Sequence, residues 1–181
     1  MKIIETKVKD LVIIEPQVFV DDRGYFFETY NTSKLPEEIA TMNWVQDNES
    51  KSTRGVLRGL HYQSGDFAQA KLVRAITGEI YDVAVDIRPD SPTYGRYHGE
   101  ILSEENKRQM VIPRGFAHGF VVLSDTAIFS YKCDNYYKKD AEGGISFKDT
   151  TLDIPWPIDL SDVILSEKDS QLPTFGNHRE A

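Results

Sequence analysis

Three observations predict an all-β fold of the jelly-roll kind. Short runs of strand formers recur about every ten residues, turn residues cluster between them, and helix is confined to a few short segments. A sandwich or barrel closes such short strands against one another. With 181 residues, 40% hydrophobic and 28% charged, the chain has the length and composition for a single domain over residues 1–181. It shows no fixed-period repeat and no low-complexity segment.

Each element follows from its residues. Leu11–Ile14 and Gln17–Val20 read as strands interrupted at Pro16, and Asp21-Asp-Arg-Gly24 has turn composition. Tyr25–Tyr30 alternates again. Ser33–Ala40 predicts a short helix capped by Ser33, with Pro36 in its first turn and Leu35 and Ile39 on one face. Val45–Asn48 leads into the central stretch Arg54–Gln63. Lys71–Ile76 and Glu79–Ile87 then predict a hairpin about Thr77-Gly78. In the second of these strands Tyr81, Val83, Val85 and Ile87 share a face, and Asp82, Ala84 and Asp86 share the other. Gln109–Ile112, Gly119–Leu123 and Ala127–Cys133 continue the series. Beyond about Thr150 the pattern loosens, because Pro155 and Pro157 exclude a central strand. This tail is expected to wrap the barrel and return Ser166–Asp169 to it.

Charge and cysteine content narrow the function. The net charge of -8 and pI near 5.0 argue against a nucleic-acid partner. The single cysteine, Cys133, forms no intramolecular disulfide and follows an apolar run, so it reads as core. No apolar window reaches membrane-span length and the N-terminus lacks a leader-like apolar core, so the expectation is a cytoplasmic protein with no membrane partner.

Arg54-Gly-Val-Leu-Arg-Gly-Leu-His-Tyr-Gln63 is the most informative stretch. Its arginines and histidine among strand formers fit either a surface hairpin or a polar pocket lined by a sheet. Strict alternation places Arg58 and His61 on opposite faces, and a bulge at Gly59 turns both inward. His61 and His118 stand in strand-and-turn contexts, whereas His98 and His178 read as surface. Glycine-rich phosphate loops and the nucleophile-elbow motif are absent.

Ile112-Pro-Arg-Gly-Phe-Ala-His-Gly-Phe120 resembles the second motif of the cupin superfamily, P-x-G-x-x-H. Metal-binding cupins supply H-x-H from the first motif; here the matching run is His61-Tyr-Gln63, a poor metal site. A histidine without metal is available as a general base if a carboxylate orients it, and Asp169 is the candidate partner.

Those two stretches, with Gln46-Asp-Asn48 and Asp22-Arg-Gly-Tyr-Phe-Phe-Glu28, resemble the dTDP-4-dehydrorhamnose 3,5-epimerase family from about residue 3 to about residue 170. The resemblance implies a metal-free, cofactor-free cupin jelly roll acting on a dTDP-sugar as a homodimer. It assigns His61 as base, Asp169 as its partner, Tyr131 as acid and Lys71 as the cation beside the enolate oxygen. Arg23 and Arg58 match residues gripping the diphosphate or flanking the sugar, and Tyr137 matches the aromatic that stacks on thymine. Glu28, Gln46, Asn48, His118, Glu142 and Lys168 match further ligand contacts. The N-terminal segment carrying Glu28 is expected to complete the partner's site. A single-centre epimerase and a non-catalytic sugar-binding cupin are the alternatives.

Overall fold

Two antiparallel sheets face one another in the computed structural model, which describes residues 1–180. In chain order the elements are β1 (Lys2–Glu5), β2 (Val12–Glu15), β3 (Phe19–Asp21), β4 (Gly24–Phe26), α1 (Glu37–Ala40), β5 (Gln46–Thr53), β6 (Leu57–Gln63), β7 (Lys71–Thr77), β8 (Glu79–Asp86), β9 (Tyr97–Ser103), β10 (Gln109–Ile112), β11 (Phe116–Val122), β12 (Thr126–Cys133), β13 (Glu142–Gly144) and α2 (Glu167–Ser170). One sheet has six strands in the order β1-β2-β10-β7-β12-β5 and the other has five in the order β13-β6-β11-β8-β9. From β5 to β8 the chain steps from sheet to sheet at every turn, so strands adjacent in a sheet are far apart in sequence. This is the jelly roll the strand spacing predicts. No helix among the described residues is long and apolar enough to cross a membrane.

The expected hairpin at Thr77-Gly78 is instead a corner. β7 pairs with β10 and β12, while β8 pairs with β9 and β11. Gly78 has φ of 73°, and a Cβ there would lie 2.2 Å from the Thr126 carbonyl oxygen, so the chain crosses between layers at a point too tight for a side chain. Glycine turns serve hairpins and corners alike, and the local sequence does not separate the two.

Both faces of β8 are buried. Ile80 and Ala84 pack with Val73, Phe120, Phe129 and Met110 between the sheets, and Val83, Val85 and Ile87 pack with Phe147, Leu152 and Trp156 beneath the C-terminal tail. Asp82 and Asp86 are therefore sealed inside. Asp86 is held by Arg88, Ser91 and Thr93.

The predicted helix over Ser33–Ala40 breaks in two. A 3-10 turn over Thr32–Lys34 is capped by Asn31, whose side chain accepts from Ser33 N, and α1 begins only after Pro36. Proline forces the residue before it to be extended, and Leu35 has ψ of 151°. Leu35 and Ile39 nevertheless reach the same apolar cluster on the outer face of the six-stranded sheet. The strand after the Asp21–Gly24 turn stops at Phe26, since β3 and β4 form a separate ribbon. The edge strands β1, β9 and β13 have weak sequence signals. In β9, Gly99 interrupts the pattern because the Tyr81 ring occupies the place of its Cβ.

The tail wraps as expected. Ile164 bridges Val56 in parallel, Ile164 N donates to Gly55 O at 2.8 Å, and Trp156 Nε1 donates to Phe147 O at 2.9 Å. These contacts carry α2 back to β6.

Candidate active site

A cavity of about 680 Å³ opens between the two sheets at one end of the molecule, with His61, Arg58, His118, Lys71, Tyr131, Lys168 and Asp169 in its wall. A smaller annex of about 310 Å³ shares His61, Lys71, Tyr131 and Asn48 with it and adds Gln46, Tyr137 and Glu142.

Arg58 and His61 share the cavity because β6 carries a bulge. His118 faces His61 and Phe120 faces Arg58, so three steps along β6 match two along β11. A Cβ on Gly59 would lie 2.6 Å from Gly119 Cα and from His118 O, so the two backbones approach as only glycine allows. Of the two readings left open by this stretch, the polar pocket is the one observed. Arg58 donates to Ser52 Oγ at 3.2 Å, and no carboxylate among the described residues pairs with it. Its guanidinium is left available to an anion.

His61 Nε2 lies 2.5 Å from Asp169 Oδ1. The carboxylate accepts from Nε2–H, which leaves Nδ1 as the basic nitrogen. Ser166 caps α2, its Oγ accepting from Asp169 N at 3.1 Å, and so fixes where the carboxylate sits. Burial opposes the charge on Asp169, but the His61 contact and the Ser166 hydroxyl outweigh it and hold the carboxyl below its usual range.

The opposite wall belongs to the six-stranded sheet. Tyr131 on β12 stands opposite Val73 of β7, beside Phe129 at 5.5 Å between ring centres. Burial raises its phenol above the ordinary value and keeps it protonated. Lys71 opens β7 and faces both compartments. Desolvation pulls its ammonium below the usual lysine range, opposed by Cys133, Asp82 and Glu142. Cys133 is core as expected, its thiol raised to about 11 by burial, and Asn48 Nδ2 lies 3.8 Å from its sulfur.

A polar rim surrounds the annex. Tyr137, 55% exposed, donates to Glu142 Oε2 at 3.0 Å, and Lys168 Nζ lies 2.5 Å from Glu142 Oε1. Gln46 donates to Asn48 Oδ1 at 2.9 Å and accepts from Tyr137 N at 3.2 Å. Gln63, at the cupin metal-ligand position, spends its amide on structure: it donates to Phe67 O and Tyr136 O and accepts from Lys138 N. That side chain anchors the loop carrying Tyr137 and does not fit a metal.

Two expected contacts lie elsewhere. Arg23 sits at the tip of the β3–β4 ribbon, paired with Asp21 and 89% exposed, and Glu28 pairs with Lys34 and Asn31. Neither lines the cavity of its own chain. His98 is half-buried beside Glu100, and His178 stacks on Phe175 at 5.2 Å, so neither is a free surface group. Sequence reading missed Asp82, which meets His118 in the cavity wall, and the floor of Phe120 and Phe129 at 4.3 Å. The alternation of β8 did place Asp82 opposite the apolar face, but not toward a site.

A two-sheet jelly roll with histidine–carboxylate chemistry at one end, and glutamine where a metal ligand would stand, defines a cupin-like fold built for acid–base rather than metal-centred work. The model of the dTDP-4-dehydrorhamnose 3,5-epimerase family matches residues 5–177, and the chain belongs to that family. It is 53% identical over 170 residues to the dTDP-4-dehydrorhamnose 3,5-epimerase of Shigella flexneri, covering 93% of each chain. The crystal structure of the Elizabethkingia anophelis NUHP1 enzyme of that name superposes with a TM-score of 0.93 at 56% identity, covering 100% of this chain and 99% of that one. A dTDP-6-deoxy-D-glucose-3,5-epimerase from Legionella pneumophila Philadelphia 1, solved in complex with dTDP-4-keto-L-rhamnose, superposes at 0.91 with 49% identity, covering 97% of this chain and 93% of that one.

Proposed function

We propose that this chain converts dTDP-4-dehydro-6-deoxy-D-glucose to dTDP-4-dehydro-L-rhamnose by inverting C3 and C5, in the formation of dTDP-L-rhamnose. The observation that carries the reading is the division of chemistry between the sheets: the His61–Asp169 pair comes from β6 and α2, and Tyr131 and Lys71 come from the sheet opposite.

Both C3 and C5 flank the C4 ketone, so loss of either proton gives an enolate. His61 Nδ1 takes the proton on one face, with Asp169 holding the ring and stabilising the imidazolium that forms. Tyr131 returns a proton to the other face, which inverts the carbon. Lys71 supplies positive charge beside the developing enolate oxygen, the kind of contribution that is usually largest in such reactions. Arg58, with no carboxylate of its own, suits a diphosphate oxygen, and Lys168, paired with Glu142, and Glu142 itself offer polar contacts at the rim. Tyr137, pinned by Glu142, offers an exposed ring for the thymine face, and Gln46, Asn48 and His118 offer polar contacts.

Arg23 and Glu28 reach a site only in a second copy of the chain. The ribbon bearing Arg23 exposes Phe19, Val20, Tyr25 and Phe26, an apolar surface suited to lie across a partner. The proposed assembly is a homodimer with each ribbon completing the neighbouring cavity.

Proton NMR of the dTDP-4-ketosugar in heavy water, with chelator-treated protein, tests the reaction. Deuterium is expected at both C3 and C5, and a downstream reductase is expected to yield dTDP-L-rhamnose. Deuterium at one carbon assigns a single-centre epimerase, and none at either carbon refutes catalysis of this kind.

A further inference from the structure

Asp82 is fully buried on the inner face of β8, and both its carboxylate oxygens lie against one atom: His118 Nε2, at 2.9 and 3.0 Å. His118 is 6% exposed and lines the cavity. Its second nitrogen, Nδ1, has no protein partner among the described residues. It is not a sealed, unsatisfied atom either; Trp44 Nε1 alone answers that description among them. Nδ1 therefore keeps access to the cavity.

We propose that Asp82 is a positioning residue of the site: it holds His118 as the neutral Nε2–H tautomer, so that Nδ1 enters the cavity as a hydrogen-bond acceptor for a sugar hydroxyl. An imidazole whose Nε2–H is claimed by a carboxylate can offer only a lone pair at the other nitrogen. A charged ring would turn Nδ1 into a donor and repel the hydroxyl hydrogen. The surroundings disfavour that charge. His118 is desolvated, an effect opposed by Asp82 on β8, and Lys71 on β7 adds like charge nearby, as does His61 on β6 whenever it holds a proton; the basicity of His118 is lowered. Phe129 on β12, stacked at 6.0 Å, contributes no charge. The inference rests on the epimerase reading only for the identity of the donor, a hydroxyl of the sugar.

The test separates the two. Long-range proton–nitrogen NMR of the substrate-free protein, with histidine labelled in nitrogen-15 and the signal assigned by its loss in His118→Asn, reads the tautomer without any turnover. Protonated Nε2 and unprotonated Nδ1 are expected from pH 6 to pH 8. A proton on Nδ1, or a doubly protonated ring, would overturn the proposal even if the wild-type enzyme epimerises normally. In Asp82→Ala the His118 signals are expected to show mixed tautomers, and kcat/KM to fall about 10- to 100-fold, by analogy with the loss on removing a carboxylate that orients a metal-bound histidine. An unchanged tautomer in that variant also overturns it. Because the wild-type spectrum decides first, a variant that fails to fold leaves the result intact. Absence of deuterium exchange in the wild type would instead strike the epimerase reading.

Discussion

Lys71 is pulled two ways: the cavity desolvates its ammonium, while the proposed chemistry needs the charge. Its lowered pKa means the charged form costs folding energy at neutral pH; that cost begins to fall as pH passes the folded-state value and is gone only above the unfolded value of 10.5. Lys71→Met is expected to raise Tm by about 2–4 °C, near 1 kcal/mol for a chain of this size, while lowering kcat about 10²- to 10³-fold. Calorimetry with steady-state kinetics checks both. The alkaline limb of the wild-type rate profile is expected below the ordinary lysine value of 10.5, and Lys71→Arg moves it upward. At Tyr131 the acid and base roles separate. Tyr131→Phe should retain deuterium uptake at C3 and C5 while losing inversion, and His61→Ala should lose both, by about 10²- to 10⁴-fold. Equal loss of both signals in Tyr131→Phe would reassign the acid.

The bulge in β6 and the cap of α2 do at the level of elements what no single side chain does. Gly59→Ala places a methyl against the Gly119 backbone at φ of 114°, a conformation that side chains rarely adopt. It is expected to cost about 2–4 kcal/mol by urea unfolding, and to lower kcat by displacing Arg58 and His61 together. A normal kcat in a folded Gly59→Ala protein would mean the bulge is incidental. The link between α2 and β6 is pH-dependent. With the Asp169 carboxyl held low by His61, its stabilisation is present above about pH 4, the unfolded value, and fades as pH falls through the folded one. Thermal melts of wild type and Asp169→Asn from pH 7 to pH 3 are expected to converge at the acid end.

Over the whole molecule, the proposed dimer makes a prediction that one chain does not. If the ribbon completes the partner's cavity, mixing inactive Arg23→Ala with inactive His61→Ala places one intact site in each mixed dimer, since one subunit supplies His61 and the other Arg23. Random exchange makes half the dimers mixed with one of two sites intact, so activity recovers to about a quarter of wild type. No recovery after verified subunit exchange would place Arg23 outside the site. The all-β class and the wrapping tail were legible in the chain, and His61, Asp169, Tyr131 and Lys71, whose roles are proposed above, were named from it as candidates, because strand spacing and turn composition are local properties and the family motifs are contiguous. The corner at Thr77-Gly78, the break in the Ser33–Ala40 helix at Pro36 and the meeting of Asp82 with His118 were not. A glycine turn serves a hairpin or a corner equally well, and only the sheet that receives the next strand decides which. Likewise an alternating strand states that Asp82 and Val83 face opposite ways, but both faces of β8 are covered, one by the second sheet and one by the tail. Sequence alone therefore determined the kinds of element and the chemical groups available. The tertiary structure decided which groups meet, because in a jelly roll each strand's neighbours come from distant parts of the chain and every pairing depends on the others.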